Sequence, residues 1–224
     1  MIVTIDGPAG SGKSTAARLL ARKLGVAYLD TGAMYRAVTV EGLRRGIDLA
    51  DGEALAGAAE EIRIDLEPTA DGLRVTVDGR DVTATIRENE ISRQAHHAAS
   101  NERVRACLVR AQQDIGRRWG SLVTEGRDQG TVVFPRAEVK VYLDAGEEVR
   151  ALRRQKELAS RGKDVSLEQL LEEIRRRDES DRSRAVGPLK VAEGAVVVDT
   201  SEMTIDEVVE ELAGVVRKRV KGKG

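Results

Sequence analysis

Gly7-Pro8-Ala9-Gly10-Ser11-Gly12-Lys13-Ser14, set between the apolar run Met1–Asp6 and a helical pattern from Lys13 to Leu24, decides how the rest of the chain is read. The octet satisfies G-x-x-x-x-G-K-S/T in the context that gives this spacing a mechanism, a strand that turns at once into a helix. Its glycines let successive backbone N–H groups converge on phosphate oxygens, and the helix N-terminus adds partial positive charge. Lys13 is then placed to reach the β- and γ-phosphates of a nucleoside triphosphate, and the Ser14 hydroxyl is a ligand for Mg2+.

Outward from the loop, strands and helices alternate. Val26–Leu29, Ser121–Glu125, Val139–Leu143 and Ala195–Val198 read as short buried strands beside Met1–Asp6. Between them the spacing predicts helices over Thr31–Arg45, Asp51–Ile62, about Thr83 to Trp119, Glu147–Ser160, Ser166–Arg182 and Thr204–Val220. Ser166 with Gln169 and Thr204 with Glu207 have capping-box spacing. Five short apolar strands alternating with helices imply an α/β fold, a parallel sheet with helices on both faces. Ile62–Leu66, Leu73–Val77 and Arg80–Val82, with turns at Asp71-Gly72 and Asp78-Gly79, break that alternation. They read as a small antiparallel β insert beside the cleft at the carboxyl ends of the strands.

Composition narrows the function classes. The 224 residues suit one domain, and 37 Lys+Arg against 38 Asp+Glu leave a net charge of −1, which argues against a bulk polyanion binder. Aromatics at 2% disfavour a base-stacking single-strand binder. Cys107 is the only cysteine, so it excludes an intramolecular disulfide, fits a reducing compartment and reads as a small core residue. No apolar run approaches the length of a membrane span, and the first cation is Lys13, unlike a signal peptide. Arg217–Lys223 is basic, but Asp206–Glu211 open the same helix, the polarity that a helix dipole favours. The expectation is a cytoplasmic monomer with no nucleic-acid or membrane partner.

The use made of the triphosphate has to come from elsewhere in the chain. A regulatory GTPase needs Asn-Lys-x-Asp, and neither Asn89 nor Asn101 starts one. A motor or transport ATPase carries an apolar strand ending in acids. Leu122-Val123-Thr124-Glu125 is the nearest match, and Glu125 fits either a holder of Mg2+-bound water or a plain strand-end carboxylate. Leu170, Ile174, Arg177, Asp181 and Arg184 form one helical line, apolar first and charged after. Beside a phosphate loop that charged half is expected to face phosphates. The alternative is a solvated helix end laced by pairs such as Asp178 with Arg182. A small-molecule kinase fits best.

Gly7–Thr15, Asp30-Thr31-Gly32-Ala33-Met34-Tyr35-Arg36, Gly126-Arg127-Asp128-Gln129-Gly130-Thr131-Val132-Val133-Phe134-Pro135 and Arg177-Asp178-Glu179-Ser180-Asp181-Arg182-Ser183-Arg184 together resemble the bacterial cytidylate kinases, from residue 2 to about 220. The resemblance implies a P-loop kinase fold with a core, a monophosphate-binding region at about 34–100 that holds the β insert, and a lid at about 153–185. It implies transfer of the γ-phosphoryl group of ATP to CMP, with dCMP as a second acceptor and Mg2+ as cofactor. Gly7, Pro8, Ala9, Gly10, Ser11, Gly12, Lys13, Ser14 and Thr15 would then bind ATP. Thr31, Tyr35 and Arg36 would lie along the CMP ribose and phosphate, Arg127 would bind phosphate, and Arg105 and Asp128 would read the cytosine edge. Arg177 and Arg184 would hold phosphates from the lid, and Asp181 would touch the sugar. The chain departs from the family pattern at His96, usually serine, at Asn101-Glu102, where a proline usually stands, and at Gln112-Gln113, often Gln-Arg. These positions bear on sugar and base selectivity. A kinase for UMP or another small anion, or an ATP-gated regulatory module, remains the alternative.

Overall fold

Val3 and Ile5 are fully buried, so the apolar run before the glycines becomes an inner strand rather than an edge. The computed structural model describes residues 1–69, 72–160 and 162–221. In chain order the first elements are β1 (Ile2–Asp6), α1 (Lys13–Leu24), β2 (Ala27–Asp30), α2 (Thr31–Arg44), α3 (Gly52–Glu61), β3 (Ile64–Thr69), β4 (Gly72–Val77) and β5 (Arg80–Asp81). There follow α4 (Asn89–Gln94), α5 (His96–Ser100), α6 (Glu102–Trp119), β6 (Leu122–Gly126), β7 (Val139–Asp144), α7 (Glu147–Ala159), α8 (Leu167–Ser183), β8 (Val196–Asp199) and α9 (Ile205–Lys221). By internal packing the chain divides into two compact units, Met1–Val26 with Val123–Gly224, and Ala27–Leu122.

The main sheet has five strands in the order β2-β6-β1-β7-β8. β1 runs parallel to β7 with Val3 opposite Val139 and Ile5 opposite Val141, and β7 runs parallel to β8 with Val141 opposite Val196. The order places β1 and β6 side by side, so the loops leaving them share one end of the sheet. β3, β4 and β5 make the expected antiparallel insert, with Ile64 opposite Val77 and Val77 opposite Arg80. Its tight turn uses Asp78 at φ 48 and Gly79 at φ 77, the left-handed pair that a two-residue hairpin demands. Asp71, half of the other expected turn, lies outside the described residues, as do Gly222 and Lys223 of the basic tail. The capping box at Thr204 and Glu207 forms reciprocally, while Ser166 caps its helix by accepting from Gln169 N through Oγ. Among the described residues no helix is long and apolar enough to cross a membrane.

Two expectations need correction. The stretch from Thr83 to Trp119 is not one helix but a 3-10 turn at Thr85–Arg87 followed by α4, α5 and α6. Glu88 and Asn101 take extended backbone, and Asn101 caps α6 by accepting from Arg103 N and Val104 N while its amide donates to Gly52 O. A cap residue that also ties down α3 outweighs the helical periodicity on either side of it. Cys107 is half-buried on α6 rather than a core residue.

In the second unit the insert is fastened to α2 by charge. Glu41 is 1% exposed and accepts hydrogen bonds from Arg44 and Arg45 on its own helix side and from Arg80 of β5. The hydrogen bond from Arg44 leads in holding its carboxyl far below the usual range, against the opposing cost of burial. A carboxyl depressed in the folded state stabilises at pH values above its ordinary pKa, and that contribution fades as pH falls through the folded one. Glu41→Gln should therefore cost about 3 kcal/mol at neutral pH, the low end for breaking a buried ion pair because the arginines keep access to water. Chemical denaturation of both proteins at pH 7 and pH 3 checks this. The gap between them should narrow on acidification.

Candidate active site

Gly7 leaves β1 at φ +152, and a Cβ there would lie 2.0 Å from the Leu143 carbonyl oxygen of β7. Only glycine lets the chain turn this close to the neighbouring strand. The turn delivers α1 with Lys13 as its first residue. The Lys13 ammonium is buried and donates to Pro8 O at 2.6 Å and to Ser11 Oγ at 3.4 Å. Burial, then the Arg127 charge, pull its pKa down to about 7, with Arg177 adding to the fall and Glu125 and Asp181 opposing it. Ser14 Oγ donates to Glu125 Oε1 at 2.8 Å. A hydroxyl beside a strand-end carboxylate is a hard-oxygen donor set of the kind that suits Mg2+.

The loop after β6 is held from below. Asp6, the last residue of β1, accepts from Gln129 N at 2.8 Å and Gly130 N at 2.7 Å. Burial raises its pKa to about 6 against the lowering effect of those two amides. Gln129–Val133 forms a short π turn, and Thr124 Oγ1 donates to the Gln129 side chain at 2.9 Å. Asp128 enters this turn 4% exposed, close enough to Asp6 to act on its charge.

Arg127, at the mouth of the same loop, donates through Nε to Asp181 at 2.5 Å, and Arg184 bonds the other oxygen of that carboxylate. Asp181 is 2% exposed. Burial pushes its carboxyl up, but Arg127 and Arg184 outweigh that and hold it below the ordinary value. Burial likewise opposes the charge of Arg127, yet Asp181 keeps that guanidinium above its usual range. Arg177 acts electrostatically on both Lys13 and Asp181. The structure thus brings Lys13, Arg127, Arg177, Asp181 and Arg184 into one electrostatic neighbourhood.

It does so by a route different from the expected line. On α8 the buried residues are Leu170, Ile174, Asp178 and Asp181, so Asp178 rather than Arg177 continues the apolar stripe, and Arg177 is exposed. Arg184 lies just past the helix, at φ −56 and ψ 136, and reaches Asp181 from extended backbone. Asp178 pairs with Arg150 of α7 at 2.8 Å and not with Arg182. The charge of Arg150, unnoticed in the sequence, gives the stripe a buried partner.

In the second unit Asp30 caps α2 by accepting from Ala33 N, and Thr31 is buried in the first turn. Arg36 pairs with Asp30 at 2.9 Å. Arg105, 2% exposed, sets its guanidinium over the Tyr35 ring, 5.7 Å from the centroid. The structure thus brings Arg105 against Tyr35, and Arg36, the next residue of α2, is held by Asp30. Asp6 and Arg150 were missed by sequence reading. An acid closing a buried strand, and an arginine on the buried side of a helix, are the signals that could have found them.

The cytidylate kinase family model matches residues 3–218. A cytidylate kinase of Aeromonas salmonicida is 47% identical over 92% of this chain and 90% of its own. One from Bacillus subtilis is 46% identical over 97% and 96%. A solved structure of an uncharacterized protein from Eubacterium ventriosum superposes with a TM-score of 0.53 at 9% identity, over 97% of this chain and 98% of that one, a likeness of fold alone.

Because the folded protein takes up the Asp6 proton before the unfolded chain does, this carboxyl adds stability as pH falls through about 6 towards its ordinary value of 3.8. The Asp6 carboxyl carbon resonance should titrate near pH 6. Titration near 4 would mean that the two amides outweigh burial.

Proposed function

The chain belongs to the cytidylate kinase family, and from that membership we propose how its residues divide the work of phosphorylating CMP. The reaction is ATP + CMP to ADP + CDP. The observation that carries the reading is the cationic group Lys13, Arg127, Arg177 and Arg184, gathered around Asp181 beside a strand–loop–helix phosphate nest.

An acceptor phosphate oxygen is already ionised at neutral pH, so no general base is needed, and catalysis reduces to in-line positioning and charge neutralisation. Gly7–Thr15 cradle the ATP phosphates, and Lys13 exchanges its bond to Pro8 O for phosphate oxygens. Ser14 and Glu125 would hold Mg2+, which would supply neutralisation of phosphate charge when bound. Thr31, Tyr35 and Arg36 take the CMP ribose and phosphate, with Arg127 as a further phosphate ligand. Arg105 and Asp128 read the cytosine edge. Arg177 and Arg184 act on the moving phosphoryl group, and Asp181, expected at the sugar, is also the carboxylate that keeps Arg127 and Arg184 in place. The segment about 153–185 is the lid, and about 34–100 the monophosphate-binding region. We assign dCMP as a second acceptor, the cytoplasm as the location and a monomer as the working form. The monomer is supported by the scatter of the exposed residues Leu43, Leu152 and Val197 over α2, α7 and β8.

ADP release should depend on CMP when a panel of nucleoside monophosphates is offered with ATP and Mg2+. Release without an acceptor would favour a regulatory module instead. An amino group on cytosine faces a carbonyl in uracil, so UMP should be disfavoured by about 1–3 kcal/mol, and Asp128→Asn should narrow that gap. Discrimination unchanged in the variant would move base reading to another residue. Lys13→Ala should lower kcat by at least ~10²-fold with CMP binding little altered, the usual scale for losing one preorganised donor. Steady-state kinetics and CMP calorimetry check both halves.

A further inference from the structure

Arg150, in the first turns of α7, is 3% exposed at its side chain, and each part of its guanidinium is used. Nε donates to Ala145 O at 2.9 Å, at the exit of β7. Nη1 donates to Ala9 O at 3.0 Å, in the phosphate-binding loop. Nη2 lies 2.8 Å from the Asp178 carboxylate of α8, itself 2% exposed. One buried side chain therefore joins the end of a strand, the loop and a helix that carries members of the charged site.

The bond to Ala9 has a specific consequence. The Ala9–Gly10 peptide is trans and planar, so its carbonyl and the Gly10 N–H point in opposite directions. Fixing the carbonyl towards Arg150 aims the Gly10 N–H away from it, and N–H groups so directed are what make a loop an anion nest. Gly10 also leaves no slack on the Arg150 side. Its φ is +77, and a Cβ there would lie 3.1 Å from Arg150 Cβ and 3.3 Å from Arg150 O. The connection to α8 is equally tight, since Ala151 and Leu158 of α7 share an apolar core with Leu170 and Ile174 of α8. On α8, Asp178 adjoins Arg177 and lies one turn before Asp181.

We propose that Arg150 is a positioning residue for the donor nucleotide: it sets the Ala9–Gly10 peptide of the phosphate-binding loop and, through Asp178, keeps that loop in register with the helix carrying Arg177 and Asp181. The role rests on the reading of the loop as the ATP site. Lysine can keep the charge of Arg150 but cannot reach the three acceptors at once. Asparagine at 178 keeps the shape and removes the charge, leaving the bonds to Ala9 and Ala145 intact.

The test is steady-state kinetics with ATP and CMP varied separately, and ADP calorimetry, on the parent, Arg150→Lys, Asp178→Asn and the double variant. All are compared at a temperature where melting curves show each to be folded. Arg150→Lys should raise the ATP KM about tenfold and weaken ADP binding in parallel, with the CMP KM within about twofold of the parent. Asp178→Asn should raise the ATP KM about threefold, and the double variant should be no worse than Arg150→Lys alone, because the two residues act as one unit. A lowered melting temperature with the ATP KM unchanged in Arg150→Lys would overturn the proposal, and so would multiplicative effects in the double variant. If Arg150→Lys does not fold, the ATP KM of Asp178→Asn decides alone. A parent that fails to phosphorylate CMP would refute the functional reading, whereas a competent parent with unchanged variants refutes only the positioning role.

Discussion

Like charges cannot be crowded at a site unless something of opposite sign is buried among them, and here that charge is Asp181. Its two oxygens are taken by Arg127 and Arg184, and Arg177 lies within electrostatic range. The limit of the compensation is visible at Lys13, whose pKa is drawn down to about 7 by burial and by the Arg127 charge despite the opposing carboxylates. Phosphoryl transfer needs cations that stand ready before charge moves, because reorganising them during the reaction would cost much of what they contribute. The second unit uses the same arrangement for a structural end. Glu41 gathers Arg44, Arg45 and Arg80 and so ties β5 to α2.

The backbone of the site is held by side chains of both polarities. Asp6 accepts from two amides of the loop after β6, while Arg150 donates to a carbonyl of the loop after β1. Both are buried, so each bond forms in a medium where leaving its partner unmade would be expensive. Both loops are thereby held by buried side chains remote in sequence.

The sequence made the strand–loop–helix at 2–24 legible because a motif, a buried strand and a helical period agreed there. The β insert was legible from its turn residues, and the caps at Ser166 and Thr204 from their spacing. The breaks between Thr83 and Trp119 were hidden because Asn101 acts as a cap through a bond to Gly52, a partner remote in sequence. The error on α8 has a similar origin. Arg177 and Asp178 are adjacent, helical periodicity admits either on the stripe, and the choice is made by Arg150, which the pattern of α8 does not contain. Asp6 escaped notice for the reverse reason, since a short strand followed by glycines reads the same whether its last acid faces solvent or holds a loop. What the sequence conceals in each case is a long-range polar partner. The expectation that Tyr35, Arg36 and Arg105 serve CMP rests on resemblance, and the contact of Arg105 with the Tyr35 ring could not be read from spacing.

The strand pairing also has a consequence for the order in which the protein can be completed during synthesis. β1 pairs with β7, Asp6 bonds a residue 123 positions later, and Ala9 bonds one 141 positions later. Almost everything that shapes the glycine-rich loop is thus made long after the loop itself. A nascent chain that has not yet exposed residues 125–150 carries the full signature from Gly7 to Ser14 but lacks Glu125, the loop after β6, the β7 pairing and the Arg150 contact that support it, and such non-local closure is slow to form. Nucleotide cannot guide the early stages of folding in this topology. It can only reward a chain that is already two-thirds built, and a chain truncated before that point would hold the motif without the site.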